Sequence, residues 1–195
     1  FDWRPSPDFL AALGQQKAIQ EGAFDWPPGV QWAGTAPYLF PLEQIVRWGL
    51  GPALGLLALA GVVTAVAVVW RRGAHPLALP LAWAALVFAS FGLLVLKTMR
   101  YFHPAYPVLA LTAAWLLAEL WRRRHRLAPL PPRLGAGLVA GAGALVVLAT
   151  GLWALAFVQI YTRDHSRVEA SAWIYQNIDP GAVIAIEHWD DALPL

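Results

Sequence analysis

Long apolar runs alternate along this chain with short basic, polar or proline-bearing segments. Four runs reach the roughly 20 mostly apolar residues that a helix needs to cross a hydrocarbon core. They lie at about Gly49–Trp70 ("GLGPALGLLALAGVVTAVAVVW"), Leu77–Leu96, Pro104–Trp121 and Leu134–Tyr161. A helix satisfies its backbone polar groups internally, so each run predicts a helix. Pro80 falls near the start of the second run and Pro104 and Pro107 near the start of the third. A missing N–H matters least at those positions.

The flanking pattern differs. "SPDFLAALGQQKAIQEG" opens with a helix-start signal, Ser6 as N-cap and Pro7 in the first helical position. Phe9, Ala12, Leu13 and Gln16 share a face and Gly22 can end the helix, which predicts a short amphipathic helix in an interface. Trp26, Trp32, Tyr38 and Trp48 suit an interfacial aromatic belt. After the fourth run, Ser166 and Glu169 form a capping-box pattern for a helix to about Asn177. "DPG" breaks that helix and "AVIAIEHW" reads as a buried strand. The expected fold is therefore mainly α: a polytopic transmembrane bundle of four spans followed by the start of an outer α/β domain. Residues 1–48 would form an outer loop with the interfacial helix, 49–161 the membrane region and 162–195 the beginning of a truncated outer domain. The start at Phe1 and the stop at "DDALPL" suggest an internal piece of a longer protein.

Composition agrees with a membrane class. Hydrophobic residues make up 58% and charged residues 13% of the 195 positions, against about 25% charged in a soluble domain. There is no cysteine, which excludes disulfides and thiolate metal sites. The net charge of +2 leaves no broad basic face for nucleic acid. Arg71 and Arg72 fill one short loop, and Arg122, Arg123, Arg124, Arg126 and Arg133 another. By the positive-inside rule these loops are cytoplasmic, which places Phe1–Trp48, Lys97–His103 and the tail from Thr162 outside. Glu119 is the one acidic residue within a run and is expected to pair with a neighbouring arginine. So few ionisable groups at membrane depth argue against an ion-coupled pump or carrier.

The orientation isolates one segment, "KTMRYFHPAYP" at Lys97–Pro107. Its cations lie on the side where topology does not favour positive charge, so a partner explains them better than anchoring does. Arg100 offers a donor fork for phosphate oxygens and Lys97 a compact charge, with Tyr101 and His103 as further donors. On spacing alone the partner is either a lipid-linked phosphate or the anionic headgroups at large. A second cluster, Glu187, His188, Asp190 and Asp191, contains ligand types for a divalent metal. A strand would send Glu187 and His188 to opposite faces. The cluster therefore reads as a metal or acceptor site only if the chain turns there, and otherwise as a strand-end loop.

The order Lys97-x-x-Arg100-Tyr101-x-x-Pro104-x-Tyr106-Pro107 resembles polytopic GT-C glycosyltransferases. More narrowly it resembles the bacterial glycosyltransferase family 39 proteins, relatives of protein mannosyltransferases and of the lipid A aminoarabinose transferase. "PPGVQW", "YLFPLEQIVRWGLG" and the tail "ASAWIYQNIDPGAVIAIEHWDDALP" extend the resemblance over most of the chain. Thr98 and Met99 stand where the aminoarabinose enzymes tend to have Leu-Pro, which leaves the donor sugar open. The resemblance implies a multi-pass inner-membrane enzyme of bacterial type. Such an enzyme transfers sugar, with inversion, from a polyprenyl-phosphate donor to a protein, lipid or glycan acceptor outside. It implies a donor phosphate near Lys97 and Arg100, and a catalytic aspartate in an outer loop upstream of Phe1. No residue of this chain is therefore expected to be the base, and the piece alone is expected to be inactive. A carrier or flippase for lipid-linked sugars and a non-catalytic membrane module are the rival readings.

Overall fold

A computed structural model describes residues 4–23, 27–124, 131–186 and 192–194. The described chain is mainly helical and contains no strand. Helix α1 covers Pro7–Gln20, α2 Leu39–Gln44 with a π-helical turn continuing through Ile45–Gly49, and α3 Pro52–Arg72. Helices α4 (Ala78–Gly92), α5 (Tyr106–Arg122), α6 (Pro132–Val158) and α7 (Ser166–Asn177) follow. Three helical runs are long and apolar enough to cross a membrane: Pro52–Arg72, Met99–Arg122, and the run that contains α6.

The second expected span is shorter than its apolar run. Helix α4 has 15 residues, roughly 22 Å at 1.5 Å per residue, against a core of about 30 Å. Tertiary partners explain where it stops. The Tyr38 N–H donates to the Gly92 carbonyl (3.1 Å), and the Val95 N–H donates to the Gln20 carbonyl (3.1 Å) instead of to its own helix. Four membrane-length spans are thus not shown.

Helices α3 and α5 form the central pair. Gly55, Ala58, Gly61 and Ala65 line the buried stripe of α3, and Val108, Thr112 and Ala113 that of α5. A Cβ on Gly61 would collide with the Thr112 carbonyl, so the absent side chain is what lets these backbones meet. The Thr112 hydroxyl donates to the Leu109 carbonyl (2.9 Å) and lies 3.5 Å from the Ala58 carbonyl across the pair. Large apolar side chains point the other way: Leu56, Val63, Val66 and Trp70 of α3 and Leu79, Trp83 and Leu86 of α4 are exposed. Small residues inside and large apolar ones outside suit association in lipid, where exposing leucine costs nothing. Gly137 and Gly141, spaced for the same packing, meet open space.

The chain divides into two compact units, Phe1–Thr150 and Gly151–Leu195, at a point inside α6. In the second unit a 3₁₀ turn at Gln159–Thr162 precedes α7. His165, not Ser166, is the N-cap: its Nδ1 accepts from the Arg167 N–H at 3.2 Å, and Ser166 is the first helical residue. The helix ends at Asn177 as expected. The run after "DPG" does not form a strand where it is described. Residues 182–186 carry no regular structure, and Val183 is 99% exposed. A strand needs a neighbour for its N–H and C=O groups, and no described segment supplies one.

Candidate functional site

The Lys97 segment is positioned by what holds Leu93–Thr98 out of helix. Gly92 packs so closely under the Tyr38 ring that a Cβ would strike it. Gly22, at φ +72°, closes α1 beside Val95. Leu96 and Lys97 are then buried, and Thr98 is extended (φ −68°, ψ 137°) as it leads into a 3₁₀ helix at Met99–Ala105. Three residues per turn place Arg100 and His103 on one side of that helix. Phe102 points inward, 1% exposed, its ring 5.8 Å from Phe88 and 6.3 Å from Phe91 of α4. The Trp83 indole N–H donates to the Pro104 carbonyl at 3.0 Å and fixes the other end.

Tyr101 is the most connected of the expected site residues. Its ring stacks on Phe91 at 5.3 Å, and the Arg100 guanidinium lies 5.6 Å from its centroid. Its hydroxyl accepts from Gln20 Nε2 at 3.0 Å. His103 is exposed and its ring meets that of Tyr106 at 5.2 Å. The structure thus brings Arg100 together with Tyr101, while His103 turns to Tyr106.

Lys97 differs from all three. Only 5% of it is exposed, and among the described residues no carboxylate lies within 4.0 Å of it or of Arg100. Burial draws the pKa of its ammonium below the ordinary lysine value of 10.5. Burying a cation is costly unless a counter-charge or hydrogen-bond acceptors meet it.

Two side chains that the sequence did not single out also belong to this region. Gln20 holds Tyr101 while its own Oε1 is buried without a hydrogen-bond partner, as is the Tyr106 hydroxyl. Tyr106 fits only because Gly49 has no side chain for its hydroxyl to meet. Gln20 carried no signal because its partner is 81 residues away; Tyr106 stood only as part of the quoted motif. Beside the 3₁₀ helix, a cavity of about 220 Å³ lies between α2, α3, α4 and α5, lined by Leu42, Leu59, Phe88, Ala105 and Leu109 among others. Its walls are apolar.

Glu187, His188, Asp190 and Asp191 lie outside the described residues. Among the described residues no three His, Asp or Glu side chains form a metal-binding group. No protein-family model, curated protein or solved structure matches the chain.

Proposed function

We propose that this chain is the donor-binding part of an integral membrane glycosyltransferase that takes sugar from a polyprenyl-phosphate donor on the outer face of the membrane. The observation that carries the reading is the buried Lys97, without a carboxylate partner among the described residues, three positions before Arg100. The likeness of Lys97–Pro107 to the GT-C pattern supports it. So does an apolar cavity suited to an isoprenoid segment beside the same 3₁₀ helix.

The chemistry follows from charge. As the glycosidic bond to phosphate breaks, the leaving phosphate gathers negative charge. Fixed cations beside it then stabilise the transition state more than the ground state. Lys97 supplies a point charge in a low-dielectric setting and Arg100 a donor fork. Tyr101, held by Gln20, orients Arg100 through its ring. None of the described residues is assigned as general base. In the proposed orientation Phe1–Trp48, the Lys97–His103 loop and the tail from Thr162 face outward, and the tail contributes to an outer domain. Glu187, His188, Asp190 and Asp191 remain a proposed metal or acceptor site.

The test is sugar transfer from a polyprenyl-phosphate donor by the intact membrane-embedded protein carrying Lys97→Met or Arg100→Ala. Each is expected to lower turnover by about tenfold or more. Unchanged transfer at normal expression in both variants overturns the reading and favours a non-catalytic membrane module.

A further inference from the structure

A polar cavity lies at the far end of α5 from Lys97. Helix α5 has 17 residues, so roughly 25 Å separates its two ends, close to the thickness of a hydrocarbon core. There the last turns of α3 and α5 and the link after α3 form a half-open cavity of about 570 Å³, lined by Arg72, His75, Trp115, Glu119, Arg122 and Arg123 together with Val68. The two helices of this end belong to the same compact unit.

The charge balance favours an anion. Three guanidinium groups face one carboxylate, leaving an excess of two positive charges. Two helix C-termini offset roughly half a charge each, and a net positive charge survives. The donors are also pre-set. Glu119 bonds the guanidinium groups of both Arg122 and Arg123, which holds them in place while using few of the five N–H donors each carries. His75 Nδ1 accepts from the Leu77 N–H at 3.2 Å. With Nδ1 accepting, Nε2 is the ring nitrogen left to donate, and His75 lines the cavity. Arg72 forms no ion pair among the described residues. Trp115, its ring 6.3 Å from His75, adds an apolar wall. A set of forked cations, one neutral donor and an aromatic wall recognises phosphate on an organic group better than a bare ion.

We infer that this cavity is a phosphate-binding site, at the membrane face opposite Lys97, for the phosphate of an organic ligand. The ligand is either an anionic phospholipid headgroup or a soluble phosphate ester. The site does not depend on the glycosyltransferase reading, and sugar transfer is not its readout.

The experiment measures binding by native mass spectrometry to the intact protein, purified in a detergent free of anionic lipid. One arm adds short-chain phosphatidylglycerol, with phosphatidylcholine as the zwitterionic control; the other adds adenosine diphosphate. Retention of phosphatidylglycerol over phosphatidylcholine identifies a lipid source, and retention of the nucleotide a soluble one. In the arm that binds, Arg72→Gln is expected to weaken affinity by roughly tenfold or more, as loss of a charge-assisted donor does. Arg71→Gln removes the same charge from an exposed neighbour that does not line the cavity and is expected to leave affinity unchanged. Should R72Q lose its fold, His75→Asn serves instead: it retains an acceptor for the Leu77 N–H and removes the imidazole donor. Binding of neither probe, or equal weakening in R71Q and R72Q, overturns the inference. Full affinity in a folded H75N overturns it when H75N is the variant used.

Discussion

The Gln20 side-chain amide donates to the Tyr101 hydroxyl at 3.0 Å, joining the last residue of α1 to the 3₁₀ helix 81 residues later. This bond and the Val95 N–H to Gln20 carbonyl bond tie both ends of Gln20 to the Lys97 segment. Tyr101→Phe keeps the ring that stacks on Phe91 and receives Arg100 but leaves the half-buried amide unpaired. We expect a loss of about 1–2 kcal/mol in stability, read as a lowered unfolding temperature in detergent. On the proposed function, sugar transfer should fall less than in Arg100→Ala, because the cation keeps its aromatic support. A Y101F protein as stable as the wild type would show that the bond contributes nothing net.

Glycines of similar appearance should respond oppositely to one methyl group. At Gly61 the added Cβ collides with the Thr112 carbonyl and approaches the Ala113 N–H, both backbone groups that cannot move without separating α3 from α5. Gly61→Ala should destabilise by about 1–3 kcal/mol. At Gly137 nothing lies within 4 Å, and the residue is inside α6. There alanine should be neutral or stabilise by up to about 1 kcal/mol through helix propensity. Detergent-denaturation midpoints of the two variants, compared side by side, check both signs.

The parts of this fold governed by local sequence were legible, and those governed by distant partners were not. Ser6 and Pro7 announced α1, whose N-cap oxygen accepts from the Phe9 N–H at 3.2 Å. The uninterrupted apolar run announced α3, and Pro107 the start of α5, where it occupies the first turn. Glu119 pairs as expected, with two arginines rather than one. The early end of α4 was hidden because it depends on Tyr38 and Gln20, which periodicity within Leu77–Leu96 does not register. On α1, Phe9 and Leu13 of the expected interfacial face are exposed, while Ile19, outside that face, is the residue buried against the protein. At α7 the neighbouring His165 took the capping role that the Ser166–Glu169 spacing suggested. For the site, spacing proposed Lys97 and Arg100 as equals. Packing makes one buried and the other exposed, a difference that three residues of separation cannot express.

Glu119 looks important in any count of ion pairs, yet its contribution to stability should be small. Arg122 and Arg123 are 65% and 51% exposed, within one helix at i+3 and i+4. Such pairs are worth roughly 0.3–0.5 kcal/mol each. Glu119→Gln should therefore cost less than about 1 kcal/mol in denaturation. It should also raise affinity for a phosphate probe in the cavity, since the guanidinium groups lose their competing carboxylate. Weaker phosphate binding in a stable E119Q would mean that Glu119 acts chiefly by orienting the arginines.

Lys97 makes a pH prediction whose sign is opposite to that of a paired lysine. Burial lowers its folded-state pKa below 10.5, so the denatured state holds its proton more tightly. Stability therefore rises with pH across the window between the lowered value and 10.5, where the unfolded chain binds more protons. Below that window the cost of the buried charge is carried in full, and above it the cost is gone. Lys97→Met removes the ionisable group, so its stability profile should lose this alkaline rise and lie above that of the wild type at neutral pH. On the proposed function, a phosphate bound beside Lys97 would reverse the preference by supplying a counter-charge. Donor affinity should then fall as pH climbs through the same window, and K97M should bind donor weakly at every pH. The measurement is paired: denaturation midpoints and donor binding from neutral pH to pH 11, for wild type and K97M. A wild-type stability curve parallel to that of K97M would mean that the ammonium reaches solvent despite its burial.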